Sequence, residues 1–351
     1  MVFPDKAYVS LENPASRALA DTDPQGFLAS YPDGAIIDEV QRVPDLLSYI
    51  QGIVDERQRP GQFILTGSSQ FEMMESVTQS LAGRTALLKL LPFSYDEVYA
   101  GKSPALDDML FRGFYPRIHD QDLAPSEAYA FYVETYLERD VRTLLSIKER
   151  TGFEAFLRLC AGRTGQLLNM TSLSVDVGVG VHTIKAWLSV LEASFIVAFL
   201  RPHHANFRKR LVKSPKLYFL DTGLACYLLG ITQAAQLTTH PLRGAIFESY
   251  VVAEMLKGAY NRVRRPNLSF FRDNSGNEVD ALIDGPESVR PVEIKASATV
   301  RPELFKSLEF YGALNPAAAR GALLYAGDER LRYPQADVIG FRSVGALDVG
   351  W

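Results

Sequence analysis

The sequence predicts an α/β protein of more than one domain, and three observations carry that reading. Near the N-terminus two short apolar runs, Ala35-Ile36-Ile37 and Gln62-Phe63-Ile64-Leu65-Thr66, enclose a segment of helical period. Strand, helix and strand with short links imply a parallel sheet. From Gly244 onward a helical segment leads into three or four further strand-like runs, a second α/β unit. Between the two the period changes with no internal repeat and no low-complexity linker. At about 100–200 residues per domain, 351 residues give two or three domains.

Each element has a local cause. Pro32-Asp33-Gly34 is a turn signal, so Ala35 opens a buried strand. Val43-Pro44-Asp45 starts a helix on which Leu46, Leu47, Ile50, Ile53 and Val54 share a face. Arg84–Leu91 is a further strand candidate, stopped by Pro92. From Pro92 to about Arg150 the pattern is helical, and Gly152–Gly230 reads as short helices followed by a strand pair. The last stretch offers a helix over Phe247–Leu256 and strands at Leu268–Arg272, Glu278–Ile283, Pro291–Lys295 and Ala322–Tyr325, with a helix around Pro302–Gly312. These changes of period divide the chain at 1–91, 92–150, 151–235 and 236–351.

Composition narrows the function classes. Apolar residues make up 47% and charged residues 22%, ordinary for a soluble globular chain. The formal charge of −4 gives no global pull toward nucleic acid, so any such surface must be a local patch. Cys160 and Cys226 stand far apart, against a disulfide framework or a cysteine zinc knuckle. No apolar run approaches the roughly twenty residues of a membrane span, and the N-terminus has no secretory pattern. A cytoplasmic protein without a membrane partner is the expectation.

Ile36-Ile37-Asp38-Glu39 puts two carboxylates at the C-terminal end of a buried strand, the edge where open α/β sheets bind ligands. An Asp there suits Mg²⁺ and an adjacent Glu suits polarising a water. Leu65-Thr66-Gly67-Ser68-Ser69 ends a neighbouring strand in hydroxyls able to sense a γ-phosphate, and Gly83-Arg84 adds a cation for a transferring phosphoryl group. The order Gly34–Pro44, Phe63–Gln70 and Ser80–Arg84, with Tyr136–Val141 and Lys213–Gly223, resembles the prokaryotic AAA-type ATPases that carry a C-terminal domain of unknown function. That resemblance implies a P-loop NTPase-like parallel sheet, a helical lid, ATP and Mg²⁺. Family members have a G-x-x-x-x-G-K-S/T loop upstream of the acidic strand, and no such string occurs in these 351 residues. The chain therefore reads as a truncated, mis-started or degenerate member with Asp38, Glu39, Ser68 and Arg84 as its ATPase half-site. Weak or absent ATP hydrolysis is expected, because backbone amides and a lysine are what grip the phosphates.

Leu173–Val179 and His182–Leu191 read as a helix-turn-helix pair, followed by strands Phe195–Leu200 and Lys216–Leu220 around a loop: a winged-helix layout. Arg201, Arg208, Lys209, Arg210, Lys213 and Lys216 occur with no acid between them. Lys185, Arg208, Lys209, Arg210 and Lys213 are the candidate DNA contacts, and a solvated hairpin or lid to the ATPase domain is the alternative.

Glu248 lies on the last long helix, Gly276-Asn277-Glu278-Val279-Asp280 turns into a strand, and Glu293 and Lys295 share a face of the next. The pattern resembles the restriction-endonuclease-like PD-(D/E)xK nuclease core, which implies Asp280, Glu293 and Lys295 as catalytic residues. Asp38, Glu248, Asp280 and Glu293 are the candidate metal ligands. Three functions stay open: a degenerate ATPase-family protein, a Mg²⁺- or Mn²⁺-dependent nuclease, and a non-catalytic DNA-binding or interaction protein. DNA, another protein or further copies of the chain are the expected partners, with Arg84 able to reach a neighbouring subunit's nucleotide.

Overall fold

The structure is a computed structural model and describes residues 3–67, 80–135, 150–203, 212–347 and 349. The chain folds as two compact units, Met1–Leu87 and Leu88–Trp351.

The first unit runs β1 (Ala7–Ser10), α1 (Pro14–Thr22), α2 (Pro24–Ala29), β2 (Ala35–Asp38), a 3₁₀ turn at Val40–Arg42, α3 (Leu46–Arg57) and β3 (Ile64–Leu65). Helix α1 starts where it does because the Asn13 side chain accepts from the N–H groups of Ala15 and Ser16, with Pro14 preset for the first turn. Asp23 ends that helix and caps the next through Gly26 N. The strands lie in the order β1-β2-β3, all parallel, with Ile37 opposite both Val9 and Leu65. Val9, Leu11, Ile37, Val40, Leu46, Leu47 and Ile50 form the core between sheet and helices. Gly34 must be glycine: its φ is 84°, and a Cβ there would stand 1.9 Å from the Gln62 carbonyl oxygen.

Arg84–Leu91 does not form the expected strand. An apolar run becomes a strand only where a neighbouring backbone is free to pair. This segment instead passes from one unit to the next, leaving Leu88 and Leu90 65% and 85% exposed.

The second unit opens with short helices α4 (Tyr95–Tyr99), α5 (Leu106–Arg112), α6 (Pro116–Asp120) and α7 (Pro125–Tyr132). Then follow α8 (Arg150–Ala161), β4 (Gln166–Leu167), α9 (Met170–Val177), α10 (Val181–Ala193), β5 (Val197–Pro202), β6 (Lys216–Phe219) and α11 (Thr222–Leu228). The chain ends in α12 (Arg243–Tyr260), β7 (Leu268–Arg272), β8 (Glu278–Asp284), β9 (Val289–Lys295), α13 (Lys306–Leu314), β10 (Gly321–Tyr325), β11 (Leu331–Arg332) and β12 (Ala336–Gly340). Strands β4 to β12 make one sheet in the order β11-β12-β10-β9-β8-β7-β5-β6-β4. The join is a short parallel pairing of β5 with β7, Arg201 opposite Ser269 and Pro202 opposite Phe270. Sheet hydrogen bonding is thus continuous across residue 235, and this brings β6 into reach of β8.

Two buried polar knots fasten the short helices to this sheet. Glu254 accepts from Tyr95 N at 2.9 Å and pairs with Lys257, whose ammonium also donates to the Phe93 carbonyl at 2.7 Å. Asp221 accepts from Phe114 N, Leu224 N and the Tyr129 hydroxyl at 2.6–2.7 Å. Both carboxylates are buried, and burial without such donors would cost several kcal/mol, on the order of 3–5 for an unpaired charge.

Candidate functional site

In the first unit the carboxylate of Asp38 sits where β2 ends. Tyr8 Oη donates to Asp38 Oδ2 at 2.9 Å and Ser10 Oγ to the same oxygen at 3.2 Å, both from the adjacent β1. Thr66 Oγ1, just past β3, donates a short hydrogen bond to Oδ1. The Thr66 hydroxyl, with help from Tyr8 and Ser10, holds the Asp38 carboxyl below its usual range, so it is an anion at neutral pH. Glu39 follows in the left-handed region at φ 56°, and its carboxylate accepts from Gln41 Nε2 at 2.5 Å. Parallel register delivers all three hydroxyls, because β1 and β3 flank β2 and all three strands end at one edge.

A second cluster lies in the large sheet. Lys216, 2% exposed on β6, sends its ammonium 3.0 Å from Glu248 Oε1, into a close ion pair with Glu278, and 3.9 Å from Asp280 Oδ1. Tyr218, two residues on and on the same strand face, donates to Glu248 Oε1 at 2.6 Å. On the other side Lys295 lies 3.4 Å from Asp280 Oδ2 and pairs closely with Glu293, while Ile294 N donates to Asp280 Oδ2 at 2.8 Å. Arg272 closes the rim on Glu278 at 2.8 Å.

Electrostatics follow from this crowding. Burial, then the charge of Asp280, raises Glu248 to about 7; the same two causes raise Glu293 to about 7. Burial alone would push Lys216 down, but Glu248, Asp280 and Glu278 together outweigh it and the ammonium ends above its ordinary value. Lys295 behaves likewise, with Asp280 and Glu293 overcoming burial. Glu293 Oε2 is buried with no hydrogen-bond partner, as is Ser307 Oγ; the Ser307 hydroxyl is near enough to lower the Glu293 pKa without closing a well-formed bond.

Around the predicted helix-turn-helix, α9 ends at Gly178 in the left-handed conformation and α10 buries Ile184, Trp187, Leu188 and Leu191. His182, Lys185 and Ser189 face solvent. Strands β5 and β6 pair antiparallel after it.

Three family models match this chain: an AAA domain over 3–99, a domain of unknown function (DUF8612) over 103–235 and a domain of unknown function (DUF4143) over 243–344. Uncharacterized proteins of Mycobacterium tuberculosis and Mycobacterium bovis are each 30% identical over 335 residues, spanning 93% of this chain and 72% of the relative. The chain belongs to their family, an AAA-type ATPase-like one. An uncharacterized Haemophilus influenzae protein is 22% identical over 182 residues, 48% of this chain and 46% of that one. The crystal structure of protein VC1899 from Vibrio cholerae aligns over 98% of this chain and 96% of that one at 12% identity, with a TM-score of 0.24 that supports no fold argument.

Within this AAA-type protein the predicted residues fall as follows. Asp38 and Glu39 stand at the sheet edge as anticipated from the strand end. Arg84 makes a two-pronged pair with Asp55 of α3, at 2.5 and 3.0 Å. Ser68, Arg208, Lys209 and Arg210 lie outside the described residues; Lys185 and Lys213 are exposed. Asp280, Glu293 and Lys295 come together, with Glu248 joined to them through Lys216. Among the described residues no three His, Cys, Asp or Glu side chains are grouped to hold a metal ion; in this cluster lysine ammoniums stand between the carboxylates. No described helix is long and apolar enough to cross a membrane.

Sequence reasoning missed Tyr8, Ser10, Tyr218 and Glu278, and it placed Lys216 in a basic loop rather than in the cluster. One signal for Lys216 was present: Lys216-Leu217-Tyr218-Phe219 reads as a buried strand, and a lysine two residues from a tyrosine shares its face.

Proposed function

We propose that this AAA-type ATPase-like protein carries the metal-binding half of a nucleotide site in its first unit and hydrolyses ATP poorly by itself. The observation behind this is Asp38, a low-pKa carboxylate ringed by the Tyr8, Ser10 and Thr66 hydroxyls at the C-terminal edge of a parallel sheet. Its donor set is all oxygen, which fits Mg²⁺. Asp38 and Thr66 would hold the ion, and Glu39 would orient a water beside it. Mg²⁺, when bound, supplies charge neutralisation for phosphate oxygens. The weak turnover follows from phosphate grip: the 351 residues contain no G-x-x-x-x-G-K-S/T string, and Arg84 is engaged by Asp55. The test is Mg-ATP turnover by the whole chain beside Asp38→Asn. Indistinguishable rates, far below about 1 s⁻¹, are expected. A wild-type rate in the ordinary range that vanishes in the variant would overturn the deficiency.

A second reading concerns the last third of the chain. Helix α12, the antiparallel run β7-β8-β9, helix α13 and β10 parallel to β9 follow the order of a restriction-endonuclease-like core, and Asp280, Glu293 and Lys295 meet on its adjacent strands. On this reading the two carboxylates would hold Mg²⁺ or Mn²⁺, and Lys295 would orient the attacking water. DNA would approach over Lys185, Arg208, Lys209, Arg210 and Lys213. Cutting of DNA or RNA with Mn²⁺ that disappears in Glu293→Ala is the expected result. No cutting of any substrate, or cutting unchanged by the variant, defeats this reading.

A further inference from the structure

Lys216 has the chemistry of a solvent residue and the position of a bound ion. It follows a basic run in the sequence, yet its side chain is 2% exposed and its ammonium sits among Glu248, Glu278 and Asp280. Those three carboxylates come from α12 and β8, whereas Lys216 comes from β6. The lysine therefore enters the cluster from a different part of the fold, through the short β5–β7 join.

Charge balance explains why it is there. Above about pH 7, where Glu248 and Glu293 are ionised, four carboxylates, Glu248, Glu278, Asp280 and Glu293, meet three cations, Lys216, Lys295 and Arg272, leaving one formal negative charge. Without Lys216 two negative charges would remain in a partly buried site, the number a divalent cation cancels. With both Lys216 and a divalent cation present, the site would carry a net positive charge in a poorly hydrated space. The two occupants compete on charge and on place. A second observation points to a cluster built for more cation than it holds: Glu293, which shares Lys295 with Asp280, is 5% exposed, and its buried Oε2 makes no hydrogen bond.

We propose that Lys216 is a resident counter-ion holding the place of a divalent cation among Glu248, Glu278 and Asp280, a built-in contact that keeps Mg²⁺ or Mn²⁺ out of this site. The inference rests on the nuclease reading only for what a bound metal would then do. Tyr218, on the same buried strand, donates to the same Glu248 and holds that carboxylate against the lysine.

The experiment is Mn²⁺ titration of the full chain, followed by the electron paramagnetic resonance signal of free Mn²⁺, for wild type, Lys216→Met and Lys216→Met/Asp280→Asn. Expected is one saturable site in Lys216→Met, bound at least about tenfold more tightly than by wild type and lost again on adding Asp280→Asn. Lys216→Gln removes the charge but keeps a hydrogen-bond donor for Glu278 in the buried site, which covers the case in which Lys216→Met does not fold. It retains Glu248, Glu278 and Asp280, and it too should gain the site over wild type. Equal Mn²⁺ affinity in wild type and Lys216→Met overturns the inference. So does a gained site that survives Asp280→Asn, or the absence of a gained site in whichever lysine variant is folded by circular dichroism. A variant that gains Mn²⁺ but cuts no nucleic acid keeps this inference and removes the nuclease reading.

Discussion

Tyr218 Oη donates to Glu248 Oε1 across 2.6 Å, joining β6 to α12 by a hydrogen bond whose acceptor ionises near neutrality. Its worth therefore depends on pH. To a carboxylate such a bond contributes about 1.5–3 kcal/mol, to a neutral carboxyl about 0.5–1.5. Tyr218→Phe should accordingly lose more stability at pH 8 than at pH 5 in urea denaturation. Equal losses at the two values would mean that Glu248 does not change charge between them.

Glu248 and Glu293 also predict the sign of a pH slope. Each is raised from 4.5 to about 7 in the folded protein, so folding favours their protonated forms. Their contribution is fully present below about pH 4.5 and is lost as pH rises to about 7. Lys216 and Lys295 are raised as well, but lose their contribution only at far more alkaline pH, outside this window. Wild type should thus fall in stability relative to Glu248→Gln or Glu293→Gln between pH 5 and pH 7.5. A difference that is flat over that range would place both carboxyls at ordinary values.

Glu254 and Lys257 make the third case. The pair is 1% exposed on each side, with Tyr95 N, the Phe93 carbonyl and the Phe114 ring, its centroid 4.1 Å from the ammonium, as further partners. Removing one member strands the other in the core, so Lys257→Met should cost about 3–5 kcal/mol. Adding Glu254→Gln should recover part of that loss, since the stranded charge goes with it. A double variant no more stable than the single one would show that the lysine's contacts to Phe93 and Phe114, not the pair, carry the energy.

The sequence made the strands legible where their causes were local, and less so where partners came from afar. Ala35–Asp38, α3 and the β7-β8-β9 run announced themselves through turn signals and period, and Glu293 and Lys295 shared a face by i, i+2 spacing, whereas Asp280, on the neighbouring strand, was joined to them by the nuclease-core resemblance. Arg84–Leu91 has the composition of a strand but no edge to pair with, which no local pattern encodes. Arg84 carries the charge expected of a phosphate contact, but Asp55, one turn of α3 away from Gln51, takes it. Lys216 was hidden for the same reason: its partners lie 32 residues on at Glu248 and farther at Glu278 and Asp280, brought near only by the β5–β7 join.

Lys185 and Lys213 yield the last prediction, which follows from the DNA-contact reading. Both are exposed, Lys185 on α10 beside His182 and Ser189, and Lys213 three residues before β6. If each neutralises one phosphate, replacing either by Ala should weaken binding to unrelated duplexes by similar factors. The logarithmic salt slope should become shallower by about 0.9 for each phosphate no longer neutralised. Replacing both should roughly double the change, because separated phosphate-binding side chains act independently. Fluorescence anisotropy of a labelled duplex across a range of salt concentrations reads both quantities. Wild-type binding that ignores salt, or variants that keep its slope, would mean these lysines are solvated surface, and that α10 serves its apolar face through Trp187 and Leu191 rather than an outward-facing one.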